Sequence, residues 1–248
     1  GNWRCTVGRV CCTVTTLPTI DLERELLLTG KSCVIGLDEV GKGAWAGPLV
    51  IGAAVLSNDV IESQNAQELM GGARDSKQLS EVKREAMFDH VAATCKAWAV
   101  GAATHEECDR LGMNKAQKLA TKRALEQLGK VVNLNTAAAV IDGKWDFVSP
   151  LVGHVVAHVK ADASCLSVSA ASVLAKVSRD RLMREYSLDY PMWSFDTNKG
   201  YPCPKHRVAL QGYGPSAIHR VSWAFMENYV PWLDAVSSPG MLPGFQAS

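Results

Sequence analysis

The chain has 248 residues, of which 47% are hydrophobic and 21% charged, so its composition is that of an ordinary folded domain. This length fits one large domain, or one domain with a small appendage, and excludes a machine of several modules. Lys and Arg number 26 against 25 Asp and Glu, so no global charge attracts or repels nucleic acid.

The sequence indicates neither a membrane span nor a disulfide scaffold. Its longest apolar stretch, Gly47 to Leu56, is about half of what a membrane-spanning helix requires. The eight cysteines show no CxxC spacing of the kind found in structural zinc sites. We therefore expect a soluble protein in a reducing compartment. That compartment is the cytoplasm or, because residues 1–20 contain Arg4 and Arg9 without any acid, an organellar matrix.

Hydrophobic patterns along the chain predict strands and helices in mixed order. The predicted strands are 33–39, 48–56, 96–102, 137–141 and 155–160, and the predicted helices begin after Ser80 or span 114–128 and 166–186. This order predicts an α/β fold, a mixed sheet flanked by helices. Beyond Pro191, Pro, Gly, Trp and Tyr become denser, which favours a small, mostly helical C-terminal segment. We divide the chain into an extension of unknown role (1–30), a catalytic core (31–190) and the C-terminal segment (191–248).

Two adjacent acids end the first predicted strand. Asp38 and Glu39 repel each other unless a positive charge compensates, and a divalent cation would do so. Neighbouring side chains on a strand point to opposite faces, but at a strand end that runs into glycines we expect the two to converge. The alternative interpretation, a solvated acidic turn, stays open from these two residues alone.

Acids recur after two later strands. Asp142 follows the apolar residues 138–141, and Asp162 follows the strand predicted over 155–160. Each Asp by itself is more often a helix cap or turn former, but binding sites of α/β sheets gather at strand ends. Oxygen ligands from separate strands indicate a hard cation such as Mg²⁺ or Mn²⁺.

A local basic surface could contact phosphates. Between residues 160 and 209 the chain has eight Lys and Arg against five Asp and Glu, with aromatic residues interleaved. The segment Gly41-Lys42-Gly43 could in addition present backbone N–H groups to an anion. A charged helix face is more often merely solvated, so both features are weak signals on their own.

Other candidate residues favour structural roles. His154 and His158 have the i, i+4 spacing of a helical metal site, but their β-branched surroundings favour a strand. Asp180 lies one helical turn before Arg184, which predicts a surface ion pair. No signature of a nucleophilic Ser or Cys is present in the sequence.

Blocks of the sequence, in order, resemble ribonuclease HII, the type 2 ribonuclease H family that cuts RNA embedded in or joined to DNA. The blocks span residues 33–225 and comprise IGLDEVGKGAWAGPLVIGAAV (35–55), RDSKQLS (74–80), the helix around 114–123, VIDG (140–143), KADA (160–163), SAASVLAKVSRD (169–180) and NKGYPCPKH (198–206). The resemblance implies a ribonuclease H-like α/β core with a helical C-terminal segment.

The resemblance also implies roles for individual residues. The implied catalytic and metal-binding carboxylates, which would hold two Mg²⁺ or Mn²⁺ ions, are Asp38, Glu39, Asp142 and Asp162. The implied substrate contacts are Gly41, Lys42, Gly43, Lys77, Ser169, Ser172, Lys176 and Tyr201. The glycine loop would contact the 2′-hydroxyl and phosphate of the ribonucleotide, and Tyr201 would stack on the next deoxynucleotide sugar. The family usually has Arg at the centre of this loop, and this chain has Lys42, which keeps the charge but loses the planar fork.

The implied reaction is hydrolysis of the phosphodiester on the 5′ side of a ribonucleotide, in an RNA–DNA hybrid or in duplex DNA. It would leave a 3′-hydroxyl and a 5′-phosphate. Two alternatives stay open: a catalytically inactive nucleic-acid-binding module of the same fold, and a two-metal nuclease for other junctions. The sister family, ribonuclease HIII, has a sizeable domain before its core, and the 37 residues before Asp38 favour HII. We expect a monomer that acts on hybrid and junction duplexes without a membrane partner, and the sequence has no signature for a replication clamp.

Overall fold

The structure is a computed structural model, and it describes residues 17–71 and 79–230. Its centre is one five-stranded sheet with the order β3-β2-β1-β4-β5. The strands are β1 (Val34–Val40), β2 (Leu49–Leu56), β3 (Cys95–Ala103), β4 (Ala138–Asp142) and β5 (His154–His158). The first three strands are antiparallel neighbours, whereas β4 runs parallel to both β1 and β5. This confirms the predicted mixed sheet.

Helices cover both faces of the sheet and form the C-terminal segment. They are α1 (Asp21–Leu28), α2 (Asn58–Glu62), α3 (Ala66–Leu69), α4 (Glu81–Thr94), α5 (His105–Leu111), α6 (Met113–Leu128), α7 (Ala161–Ser164), α8 (Leu166–Asp189), α9 (Phe195–Asn198), α10 (Pro204–Tyr213) and α11 (Phe225–Tyr229). Ser80 caps α4 as predicted, because its hydroxyl accepts a hydrogen bond from the N–H of Lys83.

The predicted strands are all present, with ends shifted by one or two residues. The prediction missed α1, α2, α3, α5 and α7, each of eight residues or fewer and too short to repeat an apolar stripe. For α5 a usable signal existed: Thr104 and Glu107 form a capping box at its start. The predicted helix over 166–186 is confirmed, and α8 continues to Asp189.

Helix α8 packs directly against β1. A methyl group at Gly36 would fall 2.1 Å from the carbonyl carbon of Ser167, so only glycine permits this approach. On this face Val34, Ala138 and Val168 share one cluster of buried side chains. On the opposite face, α6 packs its buried Ala116, Ala120 and Ala124 with Ile35, Leu37 and Ile141 of the sheet. Both faces of the central strands are therefore buried, as their nearly uninterrupted apolar sequence requires.

The N-terminal helix α1 belongs to this packing. Leu26 is buried with Val34 and Ala138, and the buried carboxylate of Glu23 accepts hydrogen bonds from the N–H and hydroxyl of Ser167. Burial raises the pKa of Glu23. Within residues 17–71 and 79–230, no helix combines the length and apolar character needed to cross a membrane.

Candidate active site

Asp38 and Asp142 lie side by side on adjacent strands. The parallel register pairs Leu37 with Ile141, so the two aspartates occupy the next position on β1 and on β4. Alternation places both on the face covered by α8, since Gly36 abuts Ser167 and since Val140 packs with Val168. Neighbouring strands are about 4.8 Å apart, so these two acids occupy adjacent positions at one end of the sheet.

Asp162 is connected to this pair through the backbone. It lies in the short helix α7, directly after β5, and is 6% exposed. One carboxylate oxygen of Asp142 accepts a hydrogen bond from the N–H of Ala161, 3.0 Å away. The hydroxyl of Ser169 donates to the carbonyl of Asp162 at 2.8 Å. These two bonds hold the turn that carries Asp162 against β4 and α8.

The side chains of Glu39 and Asp38 point to opposite faces of the sheet, so the expectation that they converge is wrong. Strand β1 continues through Val40 without a break, and alternation sends Glu39 to the α6 face. There its carboxylate accepts a 3.5 Å hydrogen bond from the amide of Gln117 and lies 3.6 Å from the ammonium of Lys42. The glycines that were expected to end the strand begin only after Val40.

The acids match a hard divalent cation in the chemistry of their donors. Asp38, Asp142 and Asp162 contribute carboxylate oxygens from three separate structural elements, β1, β4 and α7, and this set contains no nitrogen or sulfur donor. In the described part of the chain, no three His, Cys, Asp or Glu side chains lie close enough together to enclose a metal ion. The structure thus brings the acids to one end of the sheet without assembling them into a coordination shell.

Two buried arginines hold the loop between β1 and β2, which begins with the glycine loop 41–43. The guanidinium of Arg179 donates to the carbonyls of Pro48, Lys199 and Ala46, at 2.9, 2.8 and 3.1 Å. A methyl group at Gly41 would fall 2.3 Å from the Arg179 Nε, and Gly41 has a φ of +85°. Gly41 is therefore required both by the backbone conformation and by the close approach of Arg179.

The second arginine, Arg220, lies in the C-terminal segment. It donates to the carbonyl of Gly47 through two nitrogens, at 3.2 and 3.0 Å, and to the carbonyl of Lys42 at 3.1 Å. Its side chain is fully buried, and burial lowers its pKa to about 10. The loop that follows β1 is thereby fastened to the C-terminal segment as well as to α8.

Tyr201 lies directly against the glycine loop. Its phenolic oxygen accepts a hydrogen bond from the N–H of Gly41 at 2.9 Å. The cationic groups of Lys176 and Arg179 lie 5.8 and 5.4 Å from the centre of its ring. Tyr201 as a whole is half-buried. The structure therefore brings together Gly41 and Tyr201, which the resemblance grouped as substrate contacts.

The other expected substrate contacts differ in accessibility. Gly43 is exposed, and the Lys42 side chain is 43% exposed. Lys176 is only 15% exposed, and its ammonium lies 2.5 Å from the carboxylate of Asp180. Ser169 and Ser172 are buried, and Ser169 supports Asp162 instead of facing solvent. Lys77 lies outside the described residues. The substrate contacts of all eight residues stay predictions.

The expected pair between Asp180 and Arg184 is wrong. Asp180 is buried and faces Lys176 and Arg84, the latter at 3.6 Å. Arg184 instead reaches across to Glu81 and Glu85 of α4. One-turn spacing on a helix permitted the predicted pair, but the packing of α4 on α8 supplied other partners. His154 and His158 are exposed on β5, in agreement with the strand predicted for them.

The sequence analysis missed the buried polar residues that hold the parts of the site in place. Arg179 and Arg220 were counted only as part of a basic surface or not at all, and Gln117, His206 and His219 were not considered. All five are buried, which is unusual for polar side chains and requires partners. The partners of Arg179, Arg220 and Gln117 lie far away along the chain, so no local spacing could reveal them. His206 and His219 contact residues three to thirteen positions away, but in irregular turns that follow no period.

The chain is similar to known proteins in both sequence and fold. The family model described as "Ribonuclease HII" matches residues 35–226. The chain is similar to the ribonuclease HII of Streptomyces avermitilis, with 39% identity over 217 residues that cover 87% of each chain.

Solved structures show the same fold. The ribonuclease H2 of Pyrococcus horikoshii OT3 superimposes with a TM-score of 0.63 and 30% identity, over 79% of this chain and 96% of that one. The RNase HII of Archaeoglobus fulgidus, solved in a complex with PCNA, gives a TM-score of 0.60 at 24% identity, over 77% of this chain and 95% of that chain. These neighbours have the ribonuclease H-like fold, which confirms the fold expected from the sequence.

Proposed function

Because the chain belongs to the ribonuclease HII family, and is thus a type 2 ribonuclease H and a hydrolase, we propose that it cleaves RNA–DNA hybrids and ribonucleotides embedded in duplex DNA. The bond broken is the one between phosphorus and the 3′ oxygen, on the 5′ side of the ribonucleotide. Water adds to phosphorus, and the products are a 3′-hydroxyl and a 5′-phosphate.

One observation carries this proposal: the hydrogen bond between Gly41 and Tyr201. Gly41 lies three residues beyond Asp38 on the chain. It places a backbone loop and an aromatic ring beside the end of β1 that carries the carboxylates. A ring that stacks on a sugar and a loop that approaches a 2′-hydroxyl need this proximity to read both sides of one junction. A nuclease that ignored the sugar would not need the two features together.

Ribonucleases H in general use divalent metal ions, and the acids of this chain match that use in their chemistry. Asp38, Asp142 and Asp162 would hold Mg²⁺ or Mn²⁺ from the α8 face, and Glu39 would join them by leaving Lys42 and Gln117. Bound ions would activate the attacking water and stabilise the charge on the leaving 3′ oxygen.

The protein contributes orientation and positive charge. Arg220 binds the carbonyl of Lys42, and Arg179 binds those of Ala46 and Pro48. With these carbonyls engaged, the N–H groups of residues 42 and 43 would serve phosphate and sugar oxygens. The ammonium of Lys42 is exposed enough to contact a phosphate. Such contacts read shape and the 2′-hydroxyl and ignore base identity, so we expect low sequence specificity.

A replication clamp is a further candidate partner. The Archaeoglobus fulgidus RNase HII was solved with PCNA, and we carry a clamp over to this chain as a proposal only. Titration of the protein with the sliding clamp of its own organism, followed by calorimetry, tests it. An absence of heat at micromolar concentrations would remove the clamp from the proposed partners.

The decisive experiment is cleavage of three end-labelled duplexes with Mg²⁺, with Mn²⁺ and with chelator. One duplex contains a single ribonucleotide, one is a continuous RNA–DNA hybrid, and one is all DNA. We expect cuts 5′ to the ribonucleotide in the first two duplexes, only with metal, and none in the third. Binding without cleavage under every condition would favour the inactive binding module, and cleavage of the all-DNA duplex would favour a generic nuclease.

A further inference from the structure

Two buried histidines form a series of hydrogen bonds that ends at the backbone of Tyr201, and we call this series the relay. His206 is at the start of α10, and His219 lies in the turn before Arg220. The two Nε2 atoms are 2.9 Å apart. The Nδ1 of His206 is 2.9 Å from the carbonyl oxygen of Tyr201, and the Nδ1 of His219 is 2.9 Å from the backbone nitrogen of Ser216.

The groups at the two ends of the relay, the N–H of Ser216 and the carbonyl of Tyr201, determine which imidazole nitrogens carry protons. A backbone N–H can only donate, so the Nδ1 of His219 accepts from the N–H of Ser216 and carries no proton. The hydroxyl of Ser216, 2.8 Å from the same nitrogen, is then a second donor to it. The proton of His219 is therefore on Nε2 and is donated to the Nε2 of His206. His206 must then carry its own proton on Nδ1, which donates to the carbonyl of Tyr201, an atom that can only accept.

The same logic requires both rings to be neutral. A cationic His219 would direct an N–H at the N–H of Ser216, and a cationic His206 would direct one at the N–H of His219. The surroundings agree, because both side chains are buried among the rings of Trp45, Trp193 and Phe195. Burial lowers the pKa of His206, and burial together with the nearby His206 and His105 lowers the pKa of His219 to about 3.

We propose that His206 and His219 are positioning residues which hold the backbone of Tyr201 so that its hydroxyl meets the N–H of Gly41. The hydrogen bonds of the relay all run in one direction, from Ser216 through both rings to Tyr201. They therefore fix the position of the Tyr201 carbonyl. His219 also pairs with Ala46 of the loop in an isolated β-bridge, so the relay is fastened to both partners. The inference rests on the proposed function, since Tyr201 and the glycine loop are there the readers of the RNA–DNA junction.

Nitrogen-15 NMR of the imidazole groups in the full chain tests the relay without any substrate. We expect a neutral His206 protonated on Nδ1 and a neutral His219 protonated on Nε2, both unchanged between pH 7.5 and pH 5.5. A doubly protonated ring in that range, or either opposite tautomer, would overturn the assignment.

Two substitutions of His206 test what the relay is for. His206→Phe keeps an aromatic ring but removes both hydrogen bonds, whereas His206→Asn retains a donor in the place of Nδ1. We expect His206→Phe to lower kcat/KM on the single-ribonucleotide duplex about tenfold relative to the continuous hybrid, and His206→Asn to restore most of it. In a Tyr201→Ala background, His206→Phe should have less than about a twofold further effect, because the two residues act as one unit.

A merely structural role gives a different pattern. Equal losses on both substrates, or the same loss with and without the Tyr201 ring, would overturn the inference. The amide resonance of Gly41 provides a readout that does not need activity: His206→Phe should shift it and His206→Asn should return it. If the wild-type chain cleaves no duplex, the proposed function fails, whereas the tautomers and the Gly41 resonance still decide the inference.

Discussion

The hydroxyl of Tyr201 and the N–H of Gly41 are joined by a hydrogen bond of 2.9 Å, although 160 positions separate the two residues. Gly41 precedes β2 and Tyr201 precedes α10, so this bond fastens the C-terminal segment to the end of β1. The Tyr201 side chain thus has two parts with different contacts, a hydroxyl bonded to the loop and an aromatic ring, in a residue that is half-buried.

The two parts of Tyr201 predict different losses for two substitutions. Stacking of an aromatic ring is worth about 1–3 kcal/mol, so Tyr201→Ala should lower cleavage of a single embedded ribonucleotide about ten- to a hundredfold. Tyr201→Phe keeps the ring but leaves the N–H of Gly41 without its acceptor, and we expect a loss of about two- to tenfold. Steady-state kinetics on single-ribonucleotide and continuous-hybrid duplexes measures both. Equal losses on the two substrates, with a large drop in melting temperature, would mean that the ring belongs to the core.

The two glycines of the loop form a matched pair. At Gly41 a methyl group would meet Arg179 and the carbonyl of Pro48, so Gly41→Ala should lower the melting temperature as well as activity. At Gly43 nothing lies within 4 Å of the added methyl group. Gly43→Ala should therefore melt like the wild type yet bind the junction duplex more weakly, because the methyl group would separate the backbone from the phosphate. Wild-type affinity of Gly43→Ala would show that the backbone there does not approach the substrate.

Neutralising a carboxylate should stop catalysis and spare the fold. Asp38→Asn and Asp142→Asn should each lower kcat about a thousandfold, since metal ions supply several kcal/mol of charge stabilisation. Without metal, their melting temperatures should equal or exceed that of the wild type, because two adjacent negative charges are reduced to one. Glu126→Gln is the control, an exposed carboxylate of α6 whose ion pair is with Lys122. Near-normal cleavage by either Asn variant would refute the metal assignment.

Salt dependence distinguishes a phosphate contact from a solvated charge. Affinity for the hybrid duplex should fall with salt, and Lys42→Ala should reduce the slope of log affinity against log salt by about one. Lys130 is the matched control, because it is exposed just after α6, near the end of the sheet where β4 begins. Lys130→Ala should leave the slope unchanged. Identical slopes for both variants would exclude Lys42 as a phosphate contact.

The buried histidines predict a dependence of stability on pH. His219 has an ordinary pKa of 6.5 when unfolded and a pKa of about 3 when folded, so below pH 6.5 the unfolded chain binds the extra proton. The free energy of unfolding should therefore fall as the pH drops from 6.5 toward 3, by about 1.4 kcal/mol per pH unit for this group. Urea unfolding at pH 7, 6 and 5 should show a shallower fall for His219→Gln. This range lies above the titration of Glu107, whose pairing with Arg123 lowers its pKa to about 2. Parallel slopes for the two proteins would contradict the pKa shift.

Much of the catalytic end of the sheet could be predicted from the sequence. The strands that carry Asp38 and Asp142 are apolar and end in acids, and these are local properties of a few consecutive residues. Once two such strands are neighbours in the sheet, their acids are neighbours too. The side to which Glu39 points could not be predicted in this way, because it depends on β1 continuing one residue further, through Val40.

The tertiary structure alone decided how the glycine loop is held. Arg179 and Arg220 contact carbonyls that lie far away along the chain, and the partners of Asp180 come from α4 as well as from α8. In the sequence these residues appear as ordinary charged or polar positions, since periodicity reports only which face of an element is apolar. A buried polar group must find its partner wherever the packed elements place one, and that place depends on contacts between elements and not on local pattern.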